Sequence, residues 1–252
     1  MTWMLQTEKL SKNYGALRVT DEVTIDIRPG ELHAVIGPNG AGKTTLINQL
    51  SGELQSDAGC IVFSGSDITS MGIHLRAQLG LVRSYQITSV FDDFTVLENV
   101  VLSARCAKRH GFSFWRPLLD DQQAKALAVE ALVSVGLENS AALMANELGY
   151  GERRQLELAM ALAMQPKFLL LDEPMAGMSS QESVAVVALL QKLKGRYSIF
   201  LVEHDMNAVF SLADRISVLV YGRVLVTGTP DEIRANEDVR AIYLGDEEVV
   251  LS

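Results

Sequence analysis

The residues best placed to do chemistry are Gly37-Pro-Asn-Gly-Ala-Gly-Lys-Thr-Thr45, directly after the apolar run Leu32–Ile36. They fit the spacing G-x-x-x-x-G-K-[ST] between a strand and a helix. In that pattern Gly37, Gly40 and Gly42 allow the turns that aim backbone N–H groups at phosphate oxygens, with Asn39 between them. Lys43 adds a cation at the β- and γ-phosphates, Thr44 offers a hydroxyl to Mg²⁺, and Thr45 continues a helix whose positive end faces the anion. The competing reading is a glycine-rich turn before an ordinary helix. Strand, loop and helix in register favour the phosphate site.

A second run, Phe168-Leu-Leu-Leu-Asp172-Glu173-Pro174, places two carboxylates at the end of a strand apolar enough to be buried on both faces. Ligands of parallel α/β sheets bind at that edge. Asp172 would there hold Mg²⁺, which takes one or two carboxylates and keeps several waters. Glu173, one step further out, would orient and deprotonate an attacking water, a role worth about 10²–10⁴ in rate. Taken alone, an acidic pair at a strand end is more often a helix cap or a solvated turn; beside a phosphate loop the metal and base roles are favoured.

The elements that must position these groups are legible in outline. Buried strands are expected at Leu32–Ile36, Leu81–Arg83, Phe168–Leu171, Ile199–Val202 and Ile216–Val220, alternating with helical segments, the pattern of a parallel sheet. Met4–Leu10, Val19–Ile27 and Cys60–Phe63 alternate with polar residues near Gly15, Pro29, Gly30 and Gly59, and predict an antiparallel sheet. Thr95–Ala104 and Gln122–Val135 carry Leu, Val and Ala at helical spacing, joined by the turn-rich Gly111–Pro117. Thr229-Pro-Asp-Glu232 has the cap, N1 proline and N3 glutamate of a helix start. The fold class expected is α/β: a P-loop NTPase core with a parallel sheet, an N-terminal antiparallel β subdomain and an inserted helical subdomain. One domain over residues 1–252 is expected, with the helical insert at about 94–165 and a short helical tail at about 230–252.

Composition narrows the classes further. The chain has 252 residues, 48% of them hydrophobic, with 31 acidic against 22 basic residues and a net charge of −9. That excludes disordered and collagen-like chains and argues against non-specific nucleic-acid binding. No basic-then-apolar leader opens the sequence, and no apolar run reaches the ~18 residues of a membrane span. The two cysteines, Cys60 and Cys106, form no metal or disulfide pattern and read as buried thiols in a reducing compartment. His33, His74 and His110 lack a second ligand at metal spacing and read as surface or packing residues. The acidic Asp246–Glu248 reads as a solvated tail.

Further segments follow in a telling order. Gln86 comes after the strand at Leu81–Arg83, Leu148-Gly-Tyr-Gly-Glu152 opens a helix, and Glu203-His-Asp205 follows the strand at Ile199–Val202. In this order, and over nearly the whole chain, the sequence resembles the ATP-binding subunits of ABC transporters. The resemblance implies ATP and Mg²⁺, with Lys43, Glu173 and His204 catalytic. It implies that Tyr14 stacks on adenine, that Gln86 joins Thr44 and Asp172 around Mg²⁺ and links them to the membrane partner, and that His204 hydrogen-bonds the γ-phosphate. Leu148–Glu152 stands where the family reads L-S-G-G-Q, so Gly149, Gly151 and Glu152 would meet the ATP of a second ATP-binding subunit in a head-to-tail dimer. Here Gly149 replaces the serine, removing a donor worth roughly 1.5–3 kcal/mol to a charged acceptor, and Tyr150 replaces a glycine. The loop Ala176–Ser179 lacks the aspartate common at its end.

Glu203–Met206, the Tyr-Gly-Glu signature region, the stretch from Phe94 to Leu119 and the ending from Gly228 are similar to branched-chain amino-acid import ATPases. Urea and amide importers share much of the pattern. The resemblance implies integral-membrane permease partners reached through the Gln86 loop, with Val90–Leu97 beside it as a docking segment. It also implies an indirect solute-binding partner, a partner ATPase that is either a different chain or a second copy, and a place on the cytoplasmic face of the membrane. A DNA-acting ATPase of the same superfamily is the alternative class. It is disfavoured by the charge and by the lack of coiled-coil heptads between Lys43 and Asp172.

Overall fold

Five consecutive buried residues, Leu32–Ile36, form the strand that leads into the glycine-rich loop. The computed structural model describes residues 3–84, 90–106 and 118–244. Two compact units make up the chain, residues 1–72 with 194–252, and residues 73–193.

The first unit opens with β1 (Leu5–Tyr14), β2 (Leu17–Ile27), β3 (Leu32–Ile36), α1 (Lys43–Ser51), β4 (Ala58–Phe63) and β5 (Ser66–Asp67). The antiparallel sheet has the order β2-β1-β4-β5. Val23, Ile25 and Ile27 turn one face of β2 into the core while Glu22 and Thr24 face solvent, the period-2 pattern that fixes register. Lys9 and Glu22 have positive φ where the β1–β2 register shifts, so these are bulges that bend the ladder.

The second unit contains α2 (Ile73–Leu79), β6 (Leu81–Ser84), α3 (Val96–Cys106), α4 (Gln122–Val135), α5 (Tyr150–Ala163), β7 (Phe168–Asp172) and α6 (Ser180–Leu193). Strands β6 and β7 pair in parallel, and α3, α4 and α5 pack on one another. Asp121 caps α4 by accepting from Ala124 N–H at 2.9 Å, and Gly136 ends the helix in the left-handed conformation. Every residue of β7 is buried, and each large apolar side chain there contributes about 1.5–3 kcal/mol over exposure.

The chain returns to the first unit with β8 (Ser198–Val202), α7 (Met206–Leu212), β9 (Arg215–Val220), β10 (Arg223–Gly228), α8 (Pro230–Ala235) and α9 (Glu237–Leu244). There β3 runs parallel to both β8 and β9, and β10 pairs antiparallel with β9. The Thr229 capping box opens α8 as its sequence predicts. The expected parallel and antiparallel sheets are therefore both present.

A buried polar chain ties β3 to β9. His33 Nδ1 lies 3.0 Å from Glu31 Oε1, and its Nε2 lies 2.8 Å from Ser217 Oγ, which meets Thr227 Oγ1 at 2.6 Å. The Glu31 carboxylate, an acceptor only, takes the Nδ1–H of the ring. His33 and Ser217 have no exposed surface, so this Glu–His–Ser geometry is a core network and packing is its role. His74 is exposed and bonded to Gln78, and His110 lies outside the described residues. The expectation of buried thiols is not met: Cys60 is half-buried and Cys106 exposed. Among the described residues no helix is long and apolar enough to cross a membrane.

Candidate functional site

In the first unit the loop between β3 and α1 is shaped by contacts that only glycine allows. A Cβ at Gly37 would lie 2.1 Å from the Leu219 carbonyl oxygen, and one at Gly42, where φ is +101°, 2.4 Å from that of Val19. Leu46 N–H bonds to the Gly42 carbonyl, which starts α1, and Gly222 N–H bonds to that of Ala41. Lys43 is buried and its ammonium folds back over the loop, donating to the carbonyls of Gly37 at 2.6 Å and Pro38 at 3.0 Å. The first turn of α1 contains no acidic residue, so nothing within the helix offsets its positive end. Asn39, Gly40 and Thr44 are exposed and Thr45 half-exposed on this rim. The arrangement is that of an anion cradle with a fixed cation.

Two more predicted residues lie in this unit. Tyr14 ends β1 with its ring 54% exposed, the Lys12 ammonium 6.0 Å from its centroid. An aromatic face this open can accept a planar ring. His204 is exposed just beyond β8, and its N–H donates to the buried Glu203 carboxylate at 2.8 Å. Asp205 caps α7 through Ala208 N–H at 3.1 Å, fixing the turn that presents the imidazole.

The second unit holds the carboxylates. Asp172 ends β7 almost fully buried and accepts from Arg83 Nη2 at 2.9 Å, their side chains only 2% and 7% exposed. Glu173 is half-buried with φ +48°, a left-handed backbone rare for a residue with a side chain. Its carbonyl accepts from Ala176 N–H at 3.1 Å, closing the turn. Gln86 lies outside the described residues.

The same unit contains the turn that opens α5. Gly149 is its N-cap, and Glu152 reaches back to accept Gly149 N–H at 3.0 Å. Gly151 N–H donates to the Glu182 carboxylate, which the Ser179 hydroxyl and N–H also hold below the usual carboxylate range. Along α5, Leu156, Ala159 and Ala163 are buried as the spacing predicts, whereas Met160 and Met164 are half-buried and line a cavity of about 170 Å³ with Val82 and Ser103. Glu157 lines it too. Burial pushes its carboxyl up, although Arg154 pulls it down from 3.0 Å.

No group of three or more His, Cys, Asp or Glu residues placed to hold a metal occurs among the described residues. The Thr44 hydroxyl in the first unit and the Asp172 carboxylate in the second are, each by itself, hard oxygen donors of the kind Mg²⁺ accepts.

The profile of the family described as ABC transporter matches residues 20–176. The chain belongs to the ABC transporter family. A second profile, described as branched-chain amino acid ATP-binding cassette transporter, matches residues 223–249. LivG of Salmonella typhimurium, a high-affinity branched-chain amino acid transport ATP-binding protein, is 36% identical, the match covering 96% of this chain and 98% of that protein. BraF of Pseudomonas aeruginosa, of the same description, is 34% identical over 96% and 98%. The crystal structure of the ADP conformation of MJ1267, an ATP-binding cassette of an ABC transporter, superposes with a TM-score of 0.87 at 28% identity, covering 97% of this chain and all of that one.

For this member of the ABC transporter family, each unit contains part of the predicted set: Tyr14, the Gly37–Thr45 loop and His204 in one, Asp172, Glu173 and the Gly149–Glu152 turn in the other. Sequence reading missed Arg83 as a site residue. Arg83 gave no signal, because its partner is 89 positions away. Within the expected docking segment Val90–Leu97, Phe91 and Phe94 lie with ring centroids 5.3 Å apart and planes tilted by 30°, 51% and 36% exposed, in a turn pinned by Asn99 through Phe91 N–H at 2.8 Å. Asp92 beside them pairs with Arg153 at 3.0 Å.

Proposed function

We propose that this chain is the ATP-hydrolysing subunit of an importer of branched-chain amino acids, acting as one nucleotide-binding domain over residues 1–252, with a helical subdomain at about 94–165 and a tail at about 230–252. The observation that carries the ATPase part is the Lys43 ammonium held over a loop that only glycine can form, at a helix start free of acidic residues. The importer and its solute rest on the family match at residues 223–249 and on the likeness to LivG and BraF.

In this reading Gly37, Asn39, Gly40, Gly42 and Thr45 cradle the phosphates of ATP, Lys43 neutralises developing charge, and Tyr14 stacks on the adenine. Mg²⁺ would be held by Thr44, Asp172 and Gln86, and when bound it offsets phosphate charge. Glu173 accepts the proton of the attacking water. His204 donates to the γ-phosphate. Gly149 and Gly151 present the start of α5 to the ATP of a partner ATPase subunit in a head-to-tail dimer, and Glu152 shapes that turn through its bond to Gly149. Exposed Phe91 and Phe94, with the Gln86 loop, serve as the contact for membrane permease subunits on the cytoplasmic face, and a solute-binding protein acts through those permeases.

Proteoliposomes carrying the chain with its permeases and solute-binding protein test the substrate class. ATP-dependent uptake of leucine, isoleucine and valine is expected. Uptake of urea or an amide with none of leucine would transfer the chain to the other importer class.

A further inference from the structure

Tyr150 occupies a position where the family signature has glycine, and its side chain makes contacts that glycine lacks. Its hydroxyl donates to the Ala176 carbonyl at 2.8 Å and accepts from Arg154 Nη2 at 3.2 Å. The Arg154 guanidinium lies 5.5 Å from the Tyr150 ring centroid, and its Nη1 bonds Glu157 at 3.0 Å, so the ring is held from behind. A Cβ at Gly177, where φ is +77°, would lie 3.2 Å from the Tyr150 hydroxyl, so the opposing turn is fitted to the tyrosine.

The backbone of Ala176 carries this contact onward. Its carbonyl receives the Tyr150 hydroxyl, and its N–H donates to the Glu173 carbonyl at 3.1 Å. Tyr150 is thus two hydrogen bonds from the backbone of Glu173, whose φ of +48° lies in the left-handed region. Such a conformation persists at a side-chain-bearing residue only where the surroundings over-determine it. The far end of the same turn is tied too, because Gly151 N–H and Ser179 share the Glu182 carboxylate.

We infer that Tyr150 is a positioning residue for Glu173, bracing the 173–179 turn against the start of α5. The inference rests on Glu173 as the base and deepens that reading. A displacement of the signature turn, the part proposed to meet the partner's ATP, is transmitted through this brace to the orientation of this subunit's own base.

The test is Tyr150→Phe in the full chain, which removes the hydroxyl and keeps the ring. Amide hydrogen exchange over residues 174–179 should accelerate about three- to tenfold, the factor corresponding to one lost hydrogen bond, with exchange in α1 unchanged. Tyr150→Gly should do the same. Gly177→Ala, which presses on the hydroxyl from the other side, serves should either variant fail to fold. In the assembled transporter, Tyr150→Phe should lower kcat by a similar factor and leave KM for ATP unchanged. Unchanged exchange at 174–179 would overturn the inference. So would a raised KM with normal kcat, which would place the hydroxyl on nucleotide. Normal turnover in Glu173→Gln together with accelerated exchange in Tyr150→Phe would remove the base assignment and leave the brace standing.

Discussion

Replacing Arg83 by methionine is the sharpest probe of how Asp172 is held. The two side chains meet at 2.9 Å and are 7% and 2% exposed. Burial decides the magnitude. An exposed pair at that distance would be worth about 0–1 kcal/mol, whereas removing one member of a buried pair leaves a desolvated charge and costs about 3–5 kcal/mol. Both residues make further contacts, so the lower end, about 3 kcal/mol, is expected. Methionine keeps most of the length of the stem, so lost packing adds little. The assay is urea unfolding of the full chain at pH 7, followed by far-ultraviolet circular dichroism. With an m-value of about 3 kcal/mol/M, the midpoint should fall by about 1 M. Adding Asp172→Asn to Arg83→Met removes the stranded carboxylate charge and should recover more than about 1 kcal/mol, a coupling beyond the additivity of independent sites. A midpoint shift below about 0.2 M for Arg83→Met, or a double variant no more stable than the single, would refute the claim that a buried ion pair holds Asp172.

Gly37→Ala would bring a Cβ to 2.1 Å from the Leu219 carbonyl oxygen, so the loop must open. Affinity for a fluorescent ATP analogue should fall more than about tenfold, as binding through misplaced backbone donors is weakened by at least ~1.4 kcal/mol. At Glu31 burial raises the carboxyl, but bonds from His33 and from Arg28 N–H outweigh it and hold it below its usual 4.5. That stabilisation is fully present above the unfolded value and is lost as pH falls through the lower folded value. Glu31→Gln should therefore flatten the loss of urea resistance below pH 4.5, and an unchanged acid limb would contradict the assignment.

What the sequence makes legible follows from the range of each interaction. β3, β7 and β8 stand out because each is a continuous buried run, and the Gly37–Thr45 loop because its chemistry is local in sequence. β10 escapes notice. It is an antiparallel edge strand with no buried residue, and its hairpin turns at Tyr221 and Gly222, both at positive φ. Helix α2 is short, and Arg76 is its one buried side chain, so it has no apolar face to read. The pairings Arg83–Asp172 and Tyr150–Ala176 join residues far apart in the chain, and no local pattern specifies them. The departure of Tyr150 from glycine is visible in the sequence, but its contact with the turn after Glu173 requires the fold.

The central claim, that Glu173 activates water for ATP hydrolysis, is tested most directly by Glu173→Gln in the assembled transporter. The substitution keeps the shape of the side chain while replacing one carboxylate oxygen by an NH₂ donor, which removes the base. ATP should still bind and hold the ATPase subunits together, while Mg²⁺-dependent turnover falls to less than about a tenth of the unsubstituted protein. Retention of more than that tenth, with ATP binding intact, would contradict the account.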